Sequence, residues 1–130
     1  MRSKRFKQGL QVRREVLGTE YVDRAFSEAD DDTMPFQEFI TEVAWGSVWS
    51  RPGLDRRSRS LLNLGMLTAL NRQHELEVHV RGAIANGLSR TEIYEAFLHS
   101  AIYCGVPAAL DAVRVAKKVF AAMETKEATP

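Results

Sequence analysis

Apolar residues recur at three- and four-residue intervals along this chain, and no segment alternates polar with apolar long enough to build a half-buried strand. That periodicity restricts the chain to an all-α fold of about six to seven helices. Glycine and proline set the divisions. A first helix is expected from about Ser3 to Leu17, with Phe6, Leu10, Val16 and Leu17 inward, its basic residues in water and Gly18 as its stop. A short helix near Tyr21 to Glu28 follows. The acidic run from Asp30 to Thr33 reads as a loop and cap rather than a metal cage. Pro35 belongs in the first turn of a helix running from about Met34 to Val48, and the RPGL stretch from Arg51 makes a turn.

Asp55 can cap the next helix, whose LLNLGMLTAL run from Leu61 to Leu70 is apolar almost all round, the pattern of a helix buried on several sides at the centre of a fold. His74 to Asn86 is amphipathic, with Leu76, Val80, Ala83 and Ile84 inward and Gly87 closing it. Ser89, with Glu92 three residues on, spells a capping box. Ile93, Phe97, Ala101 and Cys104 are the expected inner stripe of that helix. Gly105 and Pro107 break the run. A last helix from roughly Ala108 to Met123 carries Leu110, Val113, Ala116, Val119 and Phe120 on one face, with a loose tail after Glu124.

At 130 residues the chain is expected to form a single compact domain, its helical core spanning about 34–123. Eighteen Lys and Arg against seventeen Asp and Glu leave a net charge of +1, which gives a polyanion no long-range attraction, so nucleic acid is not an expected partner. GLSRTEI between two helices has the outline of a helix-turn-helix, but the helix after it lacks side chains that read base edges. The basic opening MRSKRFKQGLQVRR has no apolar core of a signal peptide and no run reaches membrane-spanning length, so the reading is cytoplasmic and not membrane-bound. A lone Cys104 excludes an internal disulfide or a CxxC pair.

Chemistry concentrates on one helix. Arg72, Glu75 and His79 stand at i, i+3 and i+7, so a cation, a carboxylate and an imidazole share a face. This is a small acid/base site with no metal in it. The plain alternative makes His79 a core histidine bonded to Glu75. Arg72 and Arg51 either tie down turns or bind a substrate carboxylate, for which a guanidinium is well shaped. Arg81 lies about 200° from His79 around the helix, out of reach of the same pocket and free to meet a neighbouring subunit. Trp45 and Trp49, four apart, are core or interface aromatics or the wall of a desolvated pocket. Cys104 reads first as a buried inert thiol, Glu95 with His99 as a solvated pair, and Tyr103 as a hydrogen-bond donor within reach of a substrate.

Three blocks, AWGSVWSRPGL from Ala44, ALNRQHELEVH from Ala69 and AIYCGVPAA from Ala101, carry a resemblance to the carboxymuconolactone decarboxylase family that extends over nearly the whole chain from Gln11. The wider superfamily includes peroxidases of the alkylhydroperoxidase D type, which place a CxxC three residues before a histidine. With their Gly-Leu-Ser turn set on Gly87 to Ser89, that histidine falls on His79 and the cysteines on Arg72 and Glu75. Thiol peroxidase chemistry is therefore not expected. The chain departs from the family pattern at His74, Leu110, Val113 and Arg114, which bears on the substrate rather than on the fold.

The resemblance implies an alkylhydroperoxidase D-like fold, a ring-like homo-oligomer, trimer or hexamer, and cofactor-free decarboxylation of 4-carboxymuconolactone to the enol-lactone of β-ketoadipate in protocatechuate catabolism. In such a lactone dicarboxylate the breaking bond releases its pair through the ring alkene into the lactone carbonyl, so the substrate is its own electron sink. His79 is then the proton donor, with Glu75 favouring the imidazolium and Arg72, Arg51, Arg81, Trp45, Trp49, Tyr103 and Cys104 as candidate substrate-binding residues. The alternatives are another lactone or carboxylic acid, or a non-catalytic helical oligomer.

Overall fold

The computed structural model describes residues 1–128. Among these there are seven α-helices, one π-helix and no strand. The chain divides into two compact units, Met1–Arg56 and Arg57 onward.

In the first unit, α1 (Lys4–Leu17) starts from Ser3, whose hydroxyl accepts the Phe6 N–H, and stops at Gly18, whose φ of 93° is open to glycine. α2 (Thr19–Glu28) packs back on α1 through an edge-to-face contact of Phe26 with Phe6 and an Arg14–Asp23 ion pair. Asp30 Oδ1 accepts from the Asp32 and Thr33 backbone N–H groups, the loop expected of this run, and Pro35 sits in the first turn of α3 (Met34–Phe39). The helix expected from Met34 to Val48 does not stay α. From Ile40–Trp49 it widens into a π-helix, where Ser47 Oγ donates to the Glu42 carbonyl five residues back.

α1 and the π-helix meet backbone to backbone. A Cβ on Gly9 would collide with the Thr41 carbonyl oxygen, and one on Gly46 with the Arg5 carbonyl oxygen. Val12, Val16, Trp45 and Trp49 close the core beneath them. The basic residues of α1 do not all face water as expected, because Arg13 is only 4% exposed. Its guanidinium donates to Thr41 Oγ1 (3.1 Å) and Gln37 Oε1 (3.0 Å), bonds from α3 and the π-helix that make burial tolerable.

The second unit contains α4 (Arg56–Ala69, apart from its first residue), α5 (Gln73–Ala85), α6 (Arg90–Cys104) and α7 (Val106–Ala128). Its core joins Leu64 of α4, Leu76, Val80 and Ala83 of α5, Ile93 and Phe97 of α6, and Ala112, Ala116, Val119 and Phe120 of α7. The Ser89–Glu92 capping box forms as expected. Gly87 adopts φ 94° just past α5.

Three expectations fail here for one reason. α4 is not buried on several sides. Only Ser60, Leu64 and Thr68, four apart, are covered, while Leu61, Leu62, Met66 and Leu70 are exposed. Cys104 is exposed, and α6 buries Ser100 after Ile93 and Phe97. Leu110 is half exposed, and Ala109 and Ala112 take the inner positions of α7. Periodicity finds an apolar stripe, but the neighbouring helices decide which of several stripes is covered. α7 also begins earlier, since Pro107 fits a first turn that needs no N–H from it, and it runs through Glu124 to Ala128. Thr129 and Pro130 lie outside the described residues.

Candidate active site

α5 is set up by the turn before it. Asn71 takes a left-handed conformation (φ 55°), Arg72 donates its N–H to the Leu67 carbonyl at 3.0 Å, and the Arg72 carbonyl accepts the first α5 bond from Leu76. Arg72 is thus the N-cap residue, with an exposed side chain, and Glu75 stands exposed in the first turn, where the helix dipole favours a carboxylate. His79 follows one turn later at the edge of the buried Leu76–Val80–Ala83 stripe, itself partly buried.

From α4, Asn63 reaches the ring. Its Nδ2 lies 3.3 Å from His79 Nδ1. Burial pushes the His79 pKa from its usual 6.5 down to about 4, against an opposing pull from the Glu75 charge. Glu75 acts in the expected direction and is outweighed. The imidazole is therefore neutral at pH 7, where an imidazolium was expected. Sequence reasoning also passed over Asn63, whose only signal is an amide inside an otherwise apolar run.

The other candidates are distributed. Arg81, on α5, is exposed and pairs with Glu77 at 3.7 Å. Tyr103 and Cys104, at the end of α6, line a largely apolar groove of about 520 Å³ with Leu62 and Met66 of α4 and with His99, whose ring is 5.2 Å from that of Tyr103. Glu95 and His99 line a neighbouring groove of about 550 Å³. Trp45, Trp49 and Arg51 belong to the first unit. The two indoles are buried and stacked, centroids 4.7 Å apart. Arg51 lines a groove of about 440 Å³ with Trp49, Glu15 and Arg56, the last two joined at 2.8 Å.

The structure thus places Glu75 and His79 on α5, leaves Arg72 at its N-cap, and adds Asn63. Residues 35–118, from α3 into α7, match the model of the carboxymuconolactone decarboxylase family. The chain belongs to that family. Its all-helical architecture is the family's alkylhydroperoxidase D-like fold. It is 50% identical over 121 residues to a nitrosuccinic acid decarboxylase of Metarhizium robertsii, covering 93% of this chain and 85% of that protein. It is 47% identical over 116 residues to a 4-carboxymuconolactone decarboxylase of Acinetobacter baylyi, covering 89% and 87%. An uncharacterized 15.0 kDa protein of Paracoccus denitrificans is 30% identical over 125 residues, covering 91% and 92%. At the level of reaction class the chain is a decarboxylase, a carboxy-lyase. Among the described residues no helix is long and apolar enough to cross a membrane.

Proposed function

We propose that the chain decarboxylates 4-carboxymuconolactone to the β-ketoadipate enol-lactone, with His79 as the proton source. The observation that carries this is a half-buried imidazole, held by Asn63 one turn after Glu75, in a chain of this family. The bond to the departing carboxylate breaks, carbon dioxide leaves, and the electron pair moves through the ring alkene onto the lactone oxygen. The resulting furanolate takes one proton on the carbon next to the lactone carbonyl. Arg72 opens the same helix seven residues earlier, roughly 10 Å along the axis, and suits the distal carboxylate. Arg51, Trp45, Trp49, Tyr103 and Cys104 stay as binding candidates, each to be tested by its own variant.

A neutral imidazole is a poor acid, and the substrate itself supplies the remedy. A carboxylate about 4 Å from the ring contributes about 4 kcal/mol at an effective dielectric constant of about 20, or about three pKa units. That lifts His79 from about 4 to near neutrality. Binding of the dianion thus charges the donor in the complex that needs it.

A second reading has specific support in the identity to the nitrosuccinic acid decarboxylase. Nitrosuccinate is also a small dicarboxylate with its own electron sink, the nitro group, and needs the same cation and proton donor. Incubation with each acid, followed by carbon dioxide release, separates the two. In heavy water the lactone product should carry one deuterium, delivered to one face, and His79→Gln should cut kcat by roughly 100- to 10,000-fold. Racemic label, or a His79→Gln enzyme of near-normal rate, removes His79 from the mechanism.

The proposal includes self-association as a trimer or hexamer. Its support is the exposed apolar surface that Leu61, Leu62, Met66, Leu98, Ile102 and Leu110 present on α4, α6 and α7.

A further inference from the structure

We propose that the groove between α1 and α2 is a second small-molecule site, shaped for a small aromatic carboxylate that is bound there and not transformed. The inference stands apart from the decarboxylation reading, because every residue of the groove belongs to the first unit and none to α5.

The groove holds about 540 Å³, a volume usual for small-ligand pockets. α1 supplies Phe6, Leu10 and Arg14, four apart and therefore one stripe of the helix, roughly 12 Å long. α2 supplies Asp23, Phe26 and Ser27, which share a face by the same spacing, and Arg2, just before α1, completes the lining. Phe6 and Phe26 meet edge to face with centroids 6.2 Å apart, and the Arg2 guanidinium lies 4.4 Å from the centre of the Phe6 ring. Leu10 and Phe26 are only partly covered, so apolar surface stays open between the two helices.

The polar groups define what the ligand carries. Arg14 donates from Nε (3.1 Å) and Nη2 (2.6 Å) to a single oxygen, Asp23 Oδ1, so the pair is not fork to fork and Nη1 has no protein partner among the described residues. Arg2 donates from Nη1 to Glu38, which does not line the groove, and keeps Nε and Nη2 without a protein partner among the described residues. The lining thus sets two guanidiniums against one carboxylate and favours an anion, while its two phenyl rings and the guanidinium planes suit a flat aromatic body. Neither an imidazole nor a thiol lines the groove, its carboxylate is ion-paired, and the Ser27 hydroxyl donates to the Arg24 carbonyl. It therefore holds no general base and no activated nucleophile, and a ligand there is bound without turnover.

The test is saturation-transfer NMR on the full-length protein with benzoate as the probe, benzyl alcohol as the control without charge and acetate as the control without a ring. Benzoate should bind saturably, in the millimolar range expected of so small a ligand, and roughly tenfold tighter than either control. Arg14→Gln, which gives up only an exposed ion pair, should weaken benzoate roughly tenfold and leave benzyl alcohol unchanged. Asp23→Asn, which removes the carboxylate that competes for Arg14, should tighten benzoate roughly threefold or more. Leu10→Trp, filling the groove, should abolish binding of both, and Arg72→Gln, at the α5 site, should leave benzoate affinity within about twofold. Circular dichroism checks that each variant is folded, and the two exposed substitutions carry the test if Leu10→Trp is not. Benzoate that never saturates, or binds no tighter than the controls, overturns the proposal. So does affinity unchanged in Arg14→Gln, weakened in Asp23→Asn, or lost in Arg72→Gln, the last of which would move the ligand to the α5 site.

Discussion

Acidification should weaken this fold through His79 before any carboxylate is involved. In the unfolded chain the imidazole titrates near 6.5, and in the folded chain burial has moved it to about 4. Between those values the unfolded state binds a proton that the folded state does not, so stability is complete above about pH 7 and falls as the pH drops through 6.5 toward 4. The full displacement amounts to ~3 kcal/mol, of which ~2 kcal/mol is lost by pH 5. The carboxylates whose pKa is lowered, Glu15 beside Arg56, Asp30 bonded to Thr33, and Glu92 in its capping box, titrate below this window, so the interval from pH 7.5 to 5 isolates the imidazole from them. Urea unfolding of wild type and His79→Gln at both pH values, at one protein concentration, measures the difference. The wild type should lose ~2 kcal/mol more than the variant over that interval. Parallel losses, agreeing within about 0.5 kcal/mol, would refute the claim that burial holds this ring neutral.

Gly9→Ala forces a methyl group into the Thr41 carbonyl and Gly46 and should cost about 3 kcal/mol or more, whereas Gly18→Ala meets no atom and should cost only about 1 kcal/mol for its left-handed backbone; thermal melts of the two variants give the ranking. Cys104→Ala should leave kcat intact and stability within about 0.5 kcal/mol, since the thiol is exposed and no second cysteine exists to resolve it, and a hundredfold rate loss in a folded variant would contradict this. Sedimentation at micromolar concentration should find no monomer of 14.7 kDa, and Met66→Glu, placing a charge in the apolar surface of α4, should shift the protein toward one.

The α-helical class, the order of helices, the Ser89–Glu92 box and the turns at Gly18 and Gly87 were legible in the sequence, because each depends on residues within three or four positions of one another. The i, i+4 placement of Glu75 and His79 follows from a regular helix alone, whereas Arg72 is the N-cap of α5 and lies outside its helical winding. What the sequence left open was settled by partners distant along the chain. Arg13 is buried because Gln37 and Thr41 come to meet it, and the π winding after Phe39 accompanies a close glycine crossing with α1. α4 exposes most of its apolar run, and Cys104 faces outward, because α5 to α7 cover only one stripe of each helix. The charge state of His79 follows from the same rule. Glu75 is a neighbour in sequence and pulls the pKa up, but burial by the surrounding fold pushes it down further, and Asn63, sixteen residues away, brings its amide to the ring.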